Sequence, residues 1–297
     1  MTNNPEIGSQ TRTRAILNRY HLSAKKGLGQ NFLNDLAVLH AIPEIAAVSK
    51  TDDVVEIGPG IGALTEQLAQ RAHQVVAFEL DEELLPVLAE TLAPYSNVTI
   101  LHQDFLQANL PELLAKHFDG DHPIKIVANL PYYITKPILT SVMQSPVSFA
   151  AMVFMMQLEV AERVCAQPQT TDYGALSVII QYQYEAELAL HVSHKSFVPA
   201  PKVDSAIVKL IPRDGIEVTA SQPDRLTGFV RSCFAHRRKT LWNNLVGLFG
   251  KQAATKARLQ VILTELKIDP KLRPQALTVN QFVQLANAVQ AADLKSV

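Results

Sequence analysis

From Asp52 onward, short apolar runs alternate with helix-length amphipathic segments, the rhythm of strands and crossover helices in an α/β sheet. The first run, 53–57, enters a glycine turn, Gly58-Pro59-Gly60-Ile61-Gly62, and a helical pattern follows over 63–71. Further strands are predicted at 74–79, 98–102, 124–128 and 150–156, with helices or helix-bearing loops at 81–91, 111–117 and 135–144. Beyond Tyr173, residues 175–192 and 203–211 read as strands, a pair that closes a mostly parallel sheet with an antiparallel edge hairpin. After the turn-like Pro212-Arg213-Asp214-Gly215, helical patterns take over at 225–234, 237–249, 252–266 and 279–292.

A chain of 297 residues, 47% of them hydrophobic, can bury one large core and a second, smaller one. The expected division is a basic, flexible N-terminal arm (1–24), an α/β domain (25–212) and a small all-α domain (213–297). Charge follows that cut. Residues 1–212 carry 14 Lys/Arg against 22 Asp/Glu, and residues 213–297 carry 13 against 6. A basic unit attached to an acidic one points to a polyanion, although solvated helix faces would give the same count. Cys165 and Cys233 stand far apart, without ligand spacing, which argues against a disulfide framework or structural zinc. No apolar stretch is long enough to span a bilayer and the N-terminus has no apolar leader, so a cytoplasmic protein without membrane contact is expected.

Four strand ends carry chemistry. Gly58 and Gly60 allow a tight turn and close approach to a ligand, beside the N–H groups of the next helix. Glu79 ends the second strand 21 residues after Gly58, where a carboxylate can accept both hydroxyls of a ribose. These features suit a dinucleotide as well as S-adenosylmethionine. Asp104 follows the third strand, placed to accept from an adenine amine. The fourth strand runs into Asn129-Leu130-Pro131-Tyr132. The Asn129 side-chain oxygen and the Leu130 carbonyl can each take one hydrogen of an amine, Pro131 stiffens the loop without adding an N–H, and Tyr132 offers a ring to a flipped base.

Several strings together resemble the ribosomal RNA adenine N6,N6-dimethyltransferases. They are Lys26-Gly-Leu-Gly-Gln-Asn-Phe-Leu33, the Gly58 loop, Asn129-Leu-Pro-Tyr132, Tyr173-Gly-Ala-Leu-Ser-Val178, Phe197-Val-Pro-Ala-Pro-Lys-Val-Asp-Ser205 and Arg237-Arg-Lys-Thr-Leu241. The resemblance spans about Lys25 to Val283 and is close to the bacterial small-subunit branch. It implies a class I Rossmann-like methyltransferase sheet with a small helical C-terminal domain, and S-adenosylmethionine as methyl donor. It places cofactor contacts on Asn31, Leu33, Gly58, Glu79, Asp104 and Asn129, and makes Phe197 a second aromatic against the target base. The implied reaction is dimethylation of two adjacent adenosines in a hairpin near the 3′ end of small-subunit RNA, by a monomer acting on a pre-ribosomal particle. Arg237, Arg238 and Lys239 form the densest basic cluster and are expected to bind RNA; no metal is expected.

Tyr133, Leu158 and Ala235-His236 depart from the residues usual in the family. Relatives also methylate large-subunit RNA or act in organellar transcription, and a role as an assembly checkpoint on the small subunit stays open beside catalysis. An intact Asn-Leu-Pro-Tyr favours catalysis, because a pure binder needs no amine-positioning loop. The two prolines usual in the corresponding DNA adenine methyltransferase motif are absent.

Overall fold

A computed structural model describes residues 5–25, 27 and 29–294. In chain order the elements are α1 (Gln10–Arg19), β1 (Phe32–Leu33), α2 (Leu36–Ile45), β2 (Asp53–Ile57), α3 (Ala63–Arg71), β3 (Gln74–Glu79), α4 (Leu85–Thr91), β4 (Val98–His102), α5 (Leu110–His117) and β5 (Ile124–Asn129). They continue as α6 (Thr135–Gln144), β6 (Ala151–Gln157), α7 (Leu158–Cys165), α8 (Ala175–Gln183), β7 (Tyr184–Val192), β8 (Phe197–Val198), β9 (Ser205–Pro212), α9 (Pro223–Cys233), α10 (Leu241–Phe249), α11 (Ala253–Glu265) and α12 (Val279–Ala291).

Seven strands form one sheet in the order β4-β3-β2-β5-β6-β9-β7. The β4-β3-β2-β5-β6 run is parallel, and β9 pairs antiparallel with β6, from Met152↔Leu210 to Gln157↔Ser205. This is the expected Rossmann-like sheet with its antiparallel margin. Strands β2 and β6 are buried along nearly their whole length, as the continuous runs Val54-Val55 and Met152–Met156 require of strands covered on both faces. The order reverses direction between β2 and β5, and this crevice at the carboxyl ends of the strands is where such sheets bind ligands.

The chain packs as two compact units: 1–161 with 187–212, and 162–186 with 213–297. The first surrounds the sheet with a core that includes Leu39, Val54, Leu68, Val87, Val127, Val153 and Ile207. The second is helical, with Val178, Val230, Leu241, Leu245, Leu263 and Phe282 in its interior.

Three expectations are corrected. Residues 175–192 are not one strand: 175–183 is helix α8, because Ser177, Val178, Ile180, Gln181 and Tyr182 make one buried helical face and the Ser177 hydroxyl accepts from the Gly174 N–H at the start. That helix belongs to the second unit, so a single cut at 212 does not separate the two. Segment 162–186 adds Arg163 against Glu162, Asp172 and Glu185, leaving the second unit 14 Lys/Arg against 9 Asp/Glu. The N-terminal segment is a packed element and not a loose arm. Ile7 and Thr13 are fully buried, the Ile7 N–H donates to Glu66 at 2.7 Å, and Arg19 pairs with Glu90 at 2.6 Å. Ile7 just before the Ser9-capped helix, and Thr13 and Ile16 one turn apart on its inner face, dock it despite its polar composition.

Candidate active site

The glycine turn after β2 is built for left-handed backbone: Gly58, Gly60 and Gly62 have φ of 71°, 60° and 91°. A Cβ at Gly62 would also sit 3.1 Å from Leu92. The turn is latched to the neighbouring strand, because the Gly58 N–H donates to the Phe78 carbonyl at 2.9 Å and the Gly60 N–H to the Glu79 carboxylate at 3.3 Å. Glu79 is 6% exposed and also accepts from the Asp81 N–H at 2.8 Å. Burial pushes its carboxyl up, and these backbone N–H bonds oppose that. Each of its oxygens keeps acceptor capacity for a ligand hydroxyl.

Asp104, just past β4, uses Oδ1 to cap a short helical turn through the Leu106 N–H at 2.9 Å. Asn129 ends β5, paired with Met155 of β6. At the following residues the acceptors divide. The Pro131 carbonyl takes the Ile134 N–H and the Thr135 hydroxyl, whereas the Asn129 side chain and the Leu130 carbonyl have no hydrogen-bond partner among the described residues. The Tyr132 hydroxyl lies 2.7 Å from Ser205 Oγ at the start of β9, which fixes the ring, and burial keeps the phenol protonated.

These side chains converge. Asn31, Leu33, Gly58, Gly60, Glu79, Asp104, Asn129, Leu130, Pro131 and Tyr132 all line one cleft with about 1090 Å³ of empty space, part of it open to solvent. Its apolar walls include Phe105, Leu84 and Ile57. Carboxylates at the ends of β3 and β4, a glycine turn that permits close approach and an apolar slot suit a nucleoside carrying a charged tail, so the residues present fit S-adenosylmethionine.

A profile of the family described as ribosomal RNA adenine dimethylase matches residues 21–290. This chain belongs to the ribosomal RNA adenine dimethylase family. Within it, the chain is 57% identical over 289 residues to ribosomal RNA small subunit methyltransferase A of Levilactobacillus brevis, covering 97% of this chain and 98% of the relative. Among solved structures it is similar to a dimethyladenosine transferase from Plasmodium falciparum (TM-score 0.72, 25% identity, 88% of this chain and 98% of that one). It is also similar to the 23S rRNA methyltransferase ErmE (TM-score 0.65, 28% identity, 88% and 100%). As a dimethylase of this family the chain uses S-adenosylmethionine and acts on adenine in ribosomal RNA.

Two predicted residues stand elsewhere. Phe197 does not line the cleft: it is 3% exposed, paired with Leu33 across the β1–β8 ladder and packed in the first unit's core, because an unsubstituted phenyl ring gains more from the apolar interior than from the surface. Arg237 is committed within the second unit, donating to the carbonyls of Thr171 at 2.6 Å and Tyr173 at 2.8 Å, and residues 234–238 are turn and not the start of a helix. Arg238 and Lys239 are exposed.

Three further residues, to which the sequence alone assigns no role, belong to the site. Glu56, in the middle of an apolar strand, lines the cleft with its carboxylate fully buried, and burial together with the nearby Glu79 charge pushes its pKa up to about 8. A carboxylate inside Val54-Val55-Glu56-Ile57 is itself the signal that could have found it. Asp81 ties the N-terminal loop to the end of β3 through Lys25 Nζ and Gln30 Nε2, each at 2.7 Å. Burial alone would raise its carboxyl, but those two partners hold it below the ordinary value. Tyr133 packs over Gly29, whose φ is 60° and where an added Cβ would lie 3.0 Å from the ring, so the tyrosine joins the glycine loop to the cleft wall. Of the string 26–33, Lys26 and Leu28 lie outside the described residues.

Proposed function

We propose that this chain transfers methyl groups to N6 of two adjacent adenosines in a hairpin near the 3′ end of small-subunit ribosomal RNA, two to each, and that its substrate is an immature small-subunit particle in the cytoplasm, met by a monomer. The observation that carries the reading is the division of acceptors after β5: Pro131 is satisfied, while Asn129 and Leu130 are left to take two hydrogens from one amine. The amine of adenine is a weak nucleophile because its lone pair is delocalised into the ring. Holding both of its hydrogens on one side favours the pyramidal form and directs the lone pair away from the acceptors.

Bound S-adenosylmethionine supplies an electrophilic sulfonium methyl. Glu79 and Asp104 orient the nucleoside end of that cofactor, and the glycine turn allows its close approach. Tyr132, held by Ser205, provides a fixed stacking face for the extruded base. After the first transfer the amine keeps one hydrogen, so one of the two acceptors suffices for the second round; each round releases one proton to solvent. Phe197 stacks on the other face only if its ring turns out of the core, so this role carries a conformational step that Tyr132 does not need. Arg238 and Lys239 contact phosphates, and Arg237 holds the 171–173 backbone in place.

The small-subunit substrate rests on the name of the Levilactobacillus brevis relative and its 57% identity, against 28% to the 23S enzyme. Mass spectrometry of ribosomal RNA from a strain lacking the protein tests it. Loss of two adjacent dimethyladenosines from small-subunit RNA, restored by the wild type and not by Asn129→Ala, is expected. Persistence of both, or a loss confined to large-subunit RNA, refutes the assignment.

A further inference from the structure

At the amino-terminal edge of the sheet, remote from the cleft, three electron-pair donors face one another. His73 directly precedes β3 and His122 lies two residues before β5, the strands on either side of β2. Asp53, the first residue of β2, is in register with Gln74 on one side and Ile124 on the other, so the two histidines flank it. Their rings lie 4.0 Å apart between centroids and are tilted by 43°. Asp119 completes the group from the turn at Gly120. Its Oδ1 accepts the Asp121 N–H at 3.0 Å, and its Oδ2 is 4.0 Å from His122 Nε2, too far for a hydrogen bond. One donor atom from each of His73, His122 and Asp119 lies within 4.8 Å of the others.

We propose that His73, His122 and Asp119 form a binding site for a borderline divalent transition ion, with zinc the best match. Two imidazoles and one carboxylate are the donor set of three-ligand zinc sites, in which water fills the remaining position, whereas magnesium and calcium take oxygen ligands. Atoms bound at about 2.0–2.2 Å around a tetrahedral ion are roughly 3.4 Å apart, so the donors, at up to 4.8 Å, need to close by up to about 1.4 Å. A side chain outside the triad points the same way. His73 Nδ1 is 2.9 Å from Asp53 Oδ1, on a carboxylate that is fully buried, and this bond leaves the Nε2 lone pair for a ligand. A buried carboxylate behind a ligating imidazole is the usual means of fixing the ring and raising its basicity. The second oxygen, Asp53 Oδ2, is buried without a hydrogen-bond partner among the described residues, so this carboxylate has unused acceptor capacity directly behind the ring.

The three strands carry this edge and the methyl-transfer cleft at opposite ends, roughly 15 Å apart along β2. The ion therefore takes no part in the reaction. It ties the 119–122 turn to the start of β3 and stabilises the first unit by binding only the folded chain.

The test uses the full chain, stripped with a chelator and dialysed. Zn²⁺ is titrated in competition with a chromogenic chelator, and Co²⁺ serves as a spectroscopic probe. One equivalent is expected to bind with Kd in the micromolar range or below, with a Co²⁺ visible band of low coordination number and a rise in Tm on adding Zn²⁺. His122→Ala should weaken binding at least ~100-fold and abolish the Tm rise, and Asp53→Asn should weaken it ~10- to 100-fold while leaving the three ligands in place. His40→Ala, which removes a partly exposed histidine elsewhere in the same unit, should leave Zn²⁺ affinity and the Zn²⁺-induced Tm rise unchanged. Both His122 and Asp119 are solvent-accessible loop residues, so their variants fold. Wild-type affinity no better than millimolar, or equal affinity in wild type and His122→Ala, overturns the proposal.

Discussion

Replacing Glu56 by glutamine removes a charge that the folded chain is forced to accept as pH rises. The carboxyl is fully buried in β2, and its pKa stands at about 8 against an ordinary 4.5. Between those values the folded chain keeps a proton that the unfolded chain has lost, so stability falls as pH rises through this window and levels off above it. At ~1.36 kcal/mol per pH unit the ceiling is about 5 kcal/mol, and relaxation around the ionised group brings the expected figure to about 2–5 kcal/mol. Glutamine stays neutral throughout. The two proteins should therefore match near pH 5, and Glu56→Gln should become progressively more stable up to about pH 9. Urea unfolding followed by circular dichroism measures the difference at each pH. Stability curves that run parallel from pH 5 to 9, or that diverge in the opposite sense, would refute a neutral Glu56 in the folded chain.

Glu79→Ala should weaken S-adenosylmethionine binding ~10- to 100-fold, the worth of charge-assisted hydrogen bonds to a ribose, and calorimetry showing unchanged affinity would reject the pocket assignment. Tyr132→Ala should lose single-turnover methylation by the equivalent of ~1–3 kcal/mol of stacking while keeping cofactor affinity, and Tyr132→Phe, which loses only the Ser205 bond, should fall much less. Phe197→Ala should cost ~3–5 kcal/mol of stability, because its ring is in the core; a fully stable variant with lost turnover would instead show a ring that spends its time at the base. Neutralising Arg238 and Lys239 should reduce the salt slope of binding to small-subunit particles by about two units, whereas Arg237→Ala should lower thermal stability by freeing the 171–173 carbonyls; equal salt slopes for wild type and the double variant would count against phosphate contacts.

The strands from 53 to 156, the glycine turn, Glu79, Asp104 and the Asn129–Tyr132 string were legible in the sequence because each is a local pattern. Backbone period, a run of glycines and the residue at a strand's end are all written within a few positions, and a parallel sheet carries every strand end to the same edge. Tertiary structure decided what depends on partners distant in sequence. Helix α8 has a composition that suits a strand equally well, and only the buried face it presents within the second unit settles its form. The N-terminal segment reads as loose by its polarity, yet the buried Ile7, Thr13 and Ile16 and the distant Glu66 and Glu90 hold it. Arg237 and Phe197 carry side chains fit for RNA, but backbone carbonyls at 171 and 173 take the first and the core takes the second. The same holds for Glu56 and for the His73–His122–Asp119 group, whose members are spread over the sequence and meet only because β2, β3 and β5 lie side by side. Pattern specifies which elements form; desolvation and proximity, which exist only after packing, specify what their side chains can do.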